Sequence, residues 1–205
     1  MKSNFLQYYK PEVLIGFIVI TAIGLFLAKE IWAIQVGIIG SITSILILTN
    51  KYLWKYIPFK WMYWIEDFSG RYEGELEFQF RNDKGKVESG RLKYIKIIKQ
   101  SGSNICVTSF TIDANNKKSS ESKNIGMYVE RDEDDHFRLI FNYRNEGNSI
   151  LGFPPHYGTN IIKFIKRKNG EKHLSGRYFT ERQPFQTKGQ FIDLKRVNND
   201  LIHDY

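Results

Sequence analysis

Two long apolar blocks stand near the start of the chain, before any regular alternation begins. Val13–Ala28 holds 16 residues and Ile31–Thr49 holds 19, and neither block contains a charged residue. At about 1.5 Å per residue the second block reaches roughly 28 Å and the first about 24 Å, against a hydrocarbon core of ~30 Å. The pattern predicts two transmembrane helices, 11–28 and 31–50, joined at Lys29-Glu30 by a tight turn.

From Gly70 onward the hydrophobic period changes to two residues. Apolar and polar side chains alternate between Tyr72 and Phe80, as in a strand with one buried and one solvated face. Asn82–Gly85 supplies a turn, and the polar run Asn115–Ser122 is predicted to be a surface hairpin tip. The predicted strands are Gly70–Phe80, Val87–Lys99, Ile105–Ile112, Lys123–Glu130, Phe137–Tyr143, Asn160–Arg167, His173–Thr180 and Gly189–Val197.

Eight antiparallel strands in about 130 residues favour a closed up-and-down β-barrel, because an open sheet leaves two edges unpaired. A β-sandwich is the alternative. Ser-Gly-Arg-Tyr occurs twice, at 69–72 and 175–178, and a glycine before a strand aromatic allows the close backbone approach that small barrels need. The predicted organisation is a two-helix transmembrane hairpin (1–50), a linker (51–64) and an all-β domain (65–205).

The charge distribution indicates an orientation and argues against one class of partner. Residues 1–64 hold six of the 30 Lys and Arg and two of the 22 Asp and Glu, so each part carries half of the net charge of +8. Nucleic-acid polymers usually need a denser basic stripe than the second part offers. The positive-inside rule places both termini and the barrel in the cytoplasm. The lysines that flank the apolar blocks on that side are Lys2, Lys10, Lys51, Lys55 and Lys60.

The sequence lacks the usual catalytic and metal-binding motifs. It contains no Walker-type loop, no Gly-x-Ser-x-Gly and no His-Glu-x-x-His, and its single cysteine, Cys106, excludes a disulfide within the chain. The acids of Asp132–Asp135 precede His136, but neighbouring acids on an extended chain point to alternate faces and cannot converge on one ion. We therefore predict a solvated turn there, and no metal, cofactor or enzymatic activity.

Tyrosines and arginines of the predicted strands are the remaining candidates for ligand chemistry. An eight-stranded barrel has room inside for packed side chains or one small ligand. Aromatic faces and guanidinium groups suit nucleobases and phosphates, whereas the alternative explanation is that tyrosine simply favours strands. The residues are Tyr72, Tyr94, Tyr128, Tyr143, Tyr178, Arg138, Arg144, Arg177 and Arg182.

A family resemblance comes from the order of the segments and from short motifs. Two short membrane helices are followed by an interfacial segment of aromatics and lysines over 51–64. The β-domain opens with Gly70-Arg71-Tyr72-Glu73-Gly74 and closes with Ser175–Thr180, Arg182, Thr187-Lys188-Gly189 and Phe191–Arg196. Over essentially its full length, the chain resembles the two-transmembrane, β-strand-rich effectors of bacterial CBASS antiphage systems, which act beside a CD-NTase.

The resemblance implies a signalling role. In that family the cytoplasmic barrel is the receptor for a cyclic dinucleotide made by the CD-NTase, and the expected ligand here is a 3′,3′-cyclic dinucleotide. Binding is then expected to drive homo-oligomerisation, after which the transmembrane segments disrupt the inner membrane and stop the cell before phage spreads. The alternative is a membrane-tethered barrel that carries an apolar ligand or scaffolds a protein partner.

Physical chemistry, rather than the resemblance, selects the candidate ligand-binding residues. Tyr72 and Tyr178 are candidates for stacking on the bases, Arg177 and Arg182 for the phosphates, and Thr187 for a polar contact. If alternation is strict, Arg177 and Tyr178 point to opposite faces of their strand. Only one of these two can then line the lumen of a barrel.

Overall fold

The helices come first in the chain, and strands follow from Gly70. The protein divides into two units. The N-terminal unit contains the chain up to Asp67 and the segment Gln100–Asn104, and the β unit contains the rest of the chain from Phe68 onward. The computed structural model describes residues 4–32, 37–113, 115–149, 152, 154–182 and 186–202.

The first helix is long and apolar enough to cross a membrane. α1 covers Pro11–Trp32, which is 22 residues, and its candidate span is Pro11–Ile31. Pro11 suits the first helical position, where the missing N–H has no intrahelical partner to lose. The predicted turn at Lys29-Glu30 is wrong, because both residues lie inside α1. A lysine in the last turn suits the negative end of the helix dipole, so this charged pair need not end the helix.

The second helix is shorter than the predicted span 31–50. α2 covers Ile38–Leu48, which is 11 residues, and a π-helical turn over Thr49–Leu53 continues it. Residues 33–36 of the predicted span lie outside the described residues. An 11-residue helix is about 17 Å long, roughly half of the hydrocarbon thickness. Only α1 is therefore clearly long enough to span, and the two-helix hairpin is not confirmed.

The segment before α1 pairs with the aromatic linker inside the N-terminal unit. The backbone N–H of Trp64 donates to the carbonyl of Tyr8 (3.1 Å), and that of Lys10 donates to the carbonyl of Met62 (2.7 Å). These two hydrogen bonds hold the start of α1 beside the end of the linker. The linker also exposes three aromatic side chains, Tyr52, Tyr56 and Trp61.

Nine antiparallel strands form the β unit, and eight of them close into a ring. The sheet order is β4-β3-β2-β1-β9-β8-β7-β6-β5, and an additional pairing of β4 with β6 closes the barrel while β5 extends beside β6. The strands are β1 (Gly70–Arg81), β2 (Val87–Gln100), β3 (Ile105–Ile112), β4 (Lys118–Asn124), β5 (Tyr128–Arg131), β6 (Phe137–Asn145), β7 (His156–Lys166), β8 (Lys172–Thr180) and β9 (Thr187–Asn198).

The predicted eight-stranded barrel is confirmed, with one error in strand assignment. The predicted strand Lys123–Glu130 is divided between β4 and β5. The predicted hairpin tip Asn115–Ser122 contributes its second half to β4, where Ser119 and Ser122 are buried. A strand whose inward side chains are hydroxyls has no hydrophobic period, so the usual strand signal is missing there.

The acidic run forms the turn between β5 and β6, as predicted. Asp132 Oδ1 accepts hydrogen bonds from the backbone N–H of Asp134 (3.1 Å) and of His136 (2.9 Å). Lys163 Nζ lies 3.1 Å from the other carboxylate oxygen, Oδ2, of Asp132. The buried side of this turn is thus satisfied by its own backbone and one lysine.

The two glycines of the repeated tetrapeptide permit close strand contacts, as predicted. A Cβ on Gly176 would collide with the backbone carbonyl of Ile161 on β7, and Gly176 has a φ of +156°. A Cβ on Gly70 (φ +144°) would collide with the side chain of Arg196 on β9. Gly176 therefore requires glycine for packing against rigid backbone, whereas at Gly70 the positive φ favours glycine and the flexible side chain of Arg196 can move aside.

One end of the barrel is filled by apolar side chains. Phe68 is fully buried, and the centroid of its ring lies 5.5 Å from that of Phe137 and 4.9 Å from that of Phe164. Leu174 and Leu194 are also fully buried, and the strand register places them at the same level as Phe164. Among the described residues this end is a packed apolar core, and the cavities described below lie towards the other end.

Candidate ligand-binding cavity

The other end of the barrel contains a cavity of about 320 Å³. It lies at the ends of β1, β6 and β8 and at the starts of β2, β7 and β9. Six aromatic side chains from five different strands line it, so rings surround the space on several sides. They are Phe78, Phe80, Tyr94, Tyr143, Tyr178 and Phe191.

Hydroxyl and amide groups complete the wall of this cavity. Among the described lining residues Arg182 is the charged group at neutral pH, and none is a carboxylate. Aromatic surface with a few placed polar groups and one cation suits an organic anion. The polar lining residues are Ser109, Thr111, Ser119, Ser120, Ser122, Asn145, His156, Asn160, Thr180, Arg182 and Thr187.

A larger space adjoins this cavity at the same end of the barrel. It has a volume of about 890 Å³ and shares Phe80, Thr180 and Thr187 with the first. Arg81 and Lys188 contribute positive charge to the larger space, and Glu181 a negative one. The smaller cavity alone already has the volume of the smallest pockets that bind drug-sized ligands, which is about 300 Å³. The adjoining space adds to the volume that a ligand can occupy.

Thr180 holds the connection between β8 and β9 at the cavity. Its Oγ1 accepts hydrogen bonds from the backbone N–H of Arg182 (3.3 Å) and of Thr187 (3.1 Å). Its hydroxyl also lies 3.0 Å from the hydroxyl of Thr187. One side chain thus fixes the backbone on both sides of this connection, and with it the position of Arg182.

Burial tunes the titratable groups beside Arg182. Burial lowers the pKa of His156 below its ordinary value, and the positive charge of Arg182 contributes to the same shift, so the imidazole is neutral at pH 7. Burial also lowers the pKa of Arg182, although a guanidinium stays charged at any physiological pH. The cavity wall therefore presents a fixed positive charge beside a neutral imidazole.

Tyr178 belongs to a row of three aromatic rings. Its ring centroid lies 5.8 Å from that of Phe191, which lies 5.1 Å from that of Tyr94. Burial raises the pKa of Tyr178 to about 12, so its hydroxyl keeps its proton and can donate a hydrogen bond. The ring rests against the backbone of Gly189, where a Cβ would stand 2.7 Å from Tyr178 Cε1.

The structure brings together three of the five residues predicted to bind ligand. These are Tyr178, Arg182 and Thr187. Tyr72 lies at the apolar end, fully buried, where its hydroxyl donates to the carbonyl of Phe68 (2.8 Å). Arg177 is exposed on the outer face of β8, because alternation directs it away from the side that Tyr178 occupies. Ligand contact by any of the five remains a prediction.

The comparison with known families adds to this geometry. Residues 65–196, more than half of the chain, match the family model described as Cap15, cyclic dinucleotide receptor domain. The chain belongs to the Cap15 family. This is a family of CBASS effectors, so the resemblance stated from the sequence is confirmed. No curated protein matches the chain.

Sequence reasoning missed a buried lysine next to the cavity of this Cap15 domain. Lys96 is fully buried, with Nζ 2.8 Å from Ser109 Oγ and 4.9–5.4 Å from the ring centroids of Tyr94, Phe141 and Phe191. Burial lowers its pKa to about 7. Among the described residues no carboxylate forms an ion pair with it, so its partners are the hydroxyls of Ser109 and Tyr94 (3.4 Å) and aromatic faces. The strand period could have found it, since Lys96 shares the inward face with Tyr94.

Sequence reasoning also missed Asn160. This residue lies on β7, is 2% exposed and lines the cavity. The register places it opposite Phe141 on β6 and opposite Tyr178 on β8. Its position two residues before the fully buried Ile162 was the available signal, because residues two apart share one face of a strand.

Proposed function

We propose that this Cap15 family member is a CBASS effector that binds a 3′,3′-cyclic dinucleotide in the barrel cavity. The composition of the cavity carries the proposal: rings, hydroxyls and a guanidinium, without a carboxylate among the described lining residues. Rings can stack on bases, and a guanidinium can donate two parallel hydrogen bonds to a phosphate. An apolar ligand could not form hydrogen bonds with the hydroxyl, amide and guanidinium groups of this wall, so the wall argues against a carrier of apolar ligands.

Specific side chains are proposed for specific parts of the ligand. Tyr178 stacks on a base, Arg182 contacts a phosphate, and the hydroxyl of Thr187 makes a polar contact. The larger adjoining space receives the rest of the ligand, where Arg81 and Lys188 lie near the second phosphate. This assignment uses the residues that the structure places in the cavity wall.

Ligand binding is proposed to act by shifting the protein towards an assembled form. The ligand must bind the assembled form more tightly than the free one, since equal affinity for both would shift nothing. Residues 65–205 are the receptor, 51–64 lie at the membrane surface, and 1–50 anchor the protein with both termini in the cytoplasm. Assembly at the inner membrane then brings the N-terminal segments together and disrupts the bilayer.

Leakage from vesicles tests the proposal. The full-length protein is reconstituted into vesicles of phosphatidylethanolamine and phosphatidylglycerol that contain a self-quenched dye, and 3′,3′-cyclic dinucleotides are added outside. We expect dye release with at least one of them and none with its linear counterpart. Equal release with and without ligand, or release by none of the cyclic dinucleotides, would contradict the proposal.

A further inference from the structure

The cavity contains a buried polar atom that the fold leaves without a partner. Asn160 is 2% exposed, and its Oδ1 has no hydrogen-bond partner among the described residues. Buried polar atoms in native proteins are nearly always hydrogen-bonded, because an unsatisfied one destabilises the fold. An exception in a cavity wall points to a partner that binds there.

A second amide in the same wall shows what a structural asparagine looks like in this barrel. Asn145 Oδ1 accepts from the backbone N–H of Gly147 (2.8 Å), and Asn145 Nδ2 donates to Ser120 Oγ (3.2 Å). Both ends of that amide are therefore used by the fold. Asn160 lies in the same wall without such partners, so structural hydrogen bonding does not explain its amide.

The chemistry of the unsatisfied atom restricts its partner. Oδ1 is an acceptor, so the partner must be a donor. The phosphate oxygens of a cyclic dinucleotide are acceptors only, which leaves the N–H groups of the bases and the ribose hydroxyl as the donors of such a ligand. A base edge also carries an acceptor beside its N–H, which matches the NH₂ group beside Oδ1 of the same amide.

We infer that the amide of Asn160 reads a nucleobase edge of the bound ligand, with the N–H of the base donating to Oδ1. The inference rests on the proposed function and gives the cavity a residue that selects among bases. Asn160 lies directly opposite Tyr178 in the sheet, where Cβ atoms are about 4.5–5.5 Å apart. One planar base can therefore stack on the Tyr178 ring and present its edge to Asn160.

The test combines affinity with thermal stability in the full-length protein in detergent. Titration with 3′,3′-c-di-AMP, 3′,3′-c-di-GMP, 3′,3′-c-di-UMP and 3′,3′-cyclic GMP–AMP identifies the tightest ligand. Asn160→Leu should weaken its binding at least about tenfold and yet raise the Tm of the free protein by about 2–4 °C, because leucine removes an unsatisfied amide. Asn160→Ala gives the same affinity test if leucine is not accommodated.

Asn145→Leu is the matched control. It leaves the backbone N–H of Gly147 without its side-chain partner and removes one of the two side-chain hydrogen bonds of Ser120, so its Tm should fall. Opposite stability changes in two variants of the same chemistry separate a ligand-reading amide from a structural one. A fall in Tm for Asn160→Leu with unchanged affinity would overturn the inference.

Two modified ligands identify the donor. Methylation of the base N–H should weaken binding to the wild type at least about tenfold and leave binding to Asn160→Leu unchanged. If removal of the 2′-hydroxyl gives that pattern instead, the base assignment is wrong. Wild-type affinity in Asn160→Leu overturns the inference and leaves the proposed function intact, whereas a wild type that binds none of the four ligands overturns both.

Discussion

Burial of Lys96 makes the folding stability of the barrel depend on pH. Burial lowers its pKa to about 7, whereas a lysine in the unfolded chain keeps its proton up to about pH 10.5. Between these values the unfolded state binds more protons than the native state, so stability rises with pH by at most about 1.4 kcal/mol per unit. Below pH 7 both states hold the proton, and the destabilisation by the buried charge is complete.

Replacement of Lys96 by methionine should remove this dependence. We expect Lys96→Met to raise the Tm at pH 7 and to flatten the rise of Tm between pH 7 and 9.5. Tyr94 stays protonated in this range, because burial raises its pKa. Thermal melts of both proteins across the range provide the measurement. Lys93→Met is the control, since Lys93 bonds to Asn116 at an exposed position. A variant that keeps the wild-type slope would show that Lys96 is not its source.

The two candidate arginines make opposite predictions. Arg182 lines the cavity, so Arg182→Gln should weaken cyclic dinucleotide binding about 10–100-fold, which matches the ~1.5–3 kcal/mol of a charge-assisted hydrogen bond. Arg177→Gln should bind as the wild type does, because Arg177 faces outward on β8. Calorimetric titration of both variants measures the difference. Equal losses in the two variants would count against the cavity as the site.

At the scale of elements, sequence patterns located the strands whose inward side chains are apolar. β1, β3 and β8 begin within a residue of the predicted positions and carry the expected alternation. Most of β4 was missed because Ser120 and Ser122 face a polar part of the lumen, where no hydrophobic period exists. Lys96 and Asn160 were overlooked as polar residues at inward positions, so these errors within the barrel lie in or beside the cavity.

The ends of the N-terminal helices were harder to predict. Absence of charge marks an apolar segment but does not fix where its helix stops, and lysine and glutamate are both good helix formers. Lys29-Glu30 therefore stays inside α1, and α2 begins only at Ile38, after Gly37 as its N-cap. Helix ends depend on capping and on neighbours in space, which apolar content does not report.

Gly176 should be the least tolerant position of β8. Gly176→Ala is expected to lower the free energy of unfolding by about 1–3 kcal/mol, because its Cβ meets the rigid carbonyl of Ile161. Gly126→Ala serves as the control, since nothing lies within 4 Å of a Cβ there. Thermal melts of the full-length variants report the difference. Equal Tm values for both variants would mean that the strand can shift to accept the methyl group.

On the scale of the whole molecule, the order of segments carried more information than any single motif. The Cap15 match over 65–196 agrees with the resemblance drawn from an apolar N-terminal region, an aromatic linker and a β-barrel. The sequence has no catalytic motif to locate the site, so the cavity became visible only when the fold brought Tyr178, Arg182 and Thr187 together. Those three residues lie far from β1 along the sequence and come close to it because β9 pairs with β1.

The most direct test of the account is a calorimetric titration of the full-length protein in detergent with 3′,3′-cyclic dinucleotides and their linear counterparts. The account predicts micromolar or tighter binding of at least one cyclic dinucleotide and at least about 100-fold weaker binding of its linear form. Protein with a cooperative thermal transition that binds none of the cyclic dinucleotides would contradict the central claim.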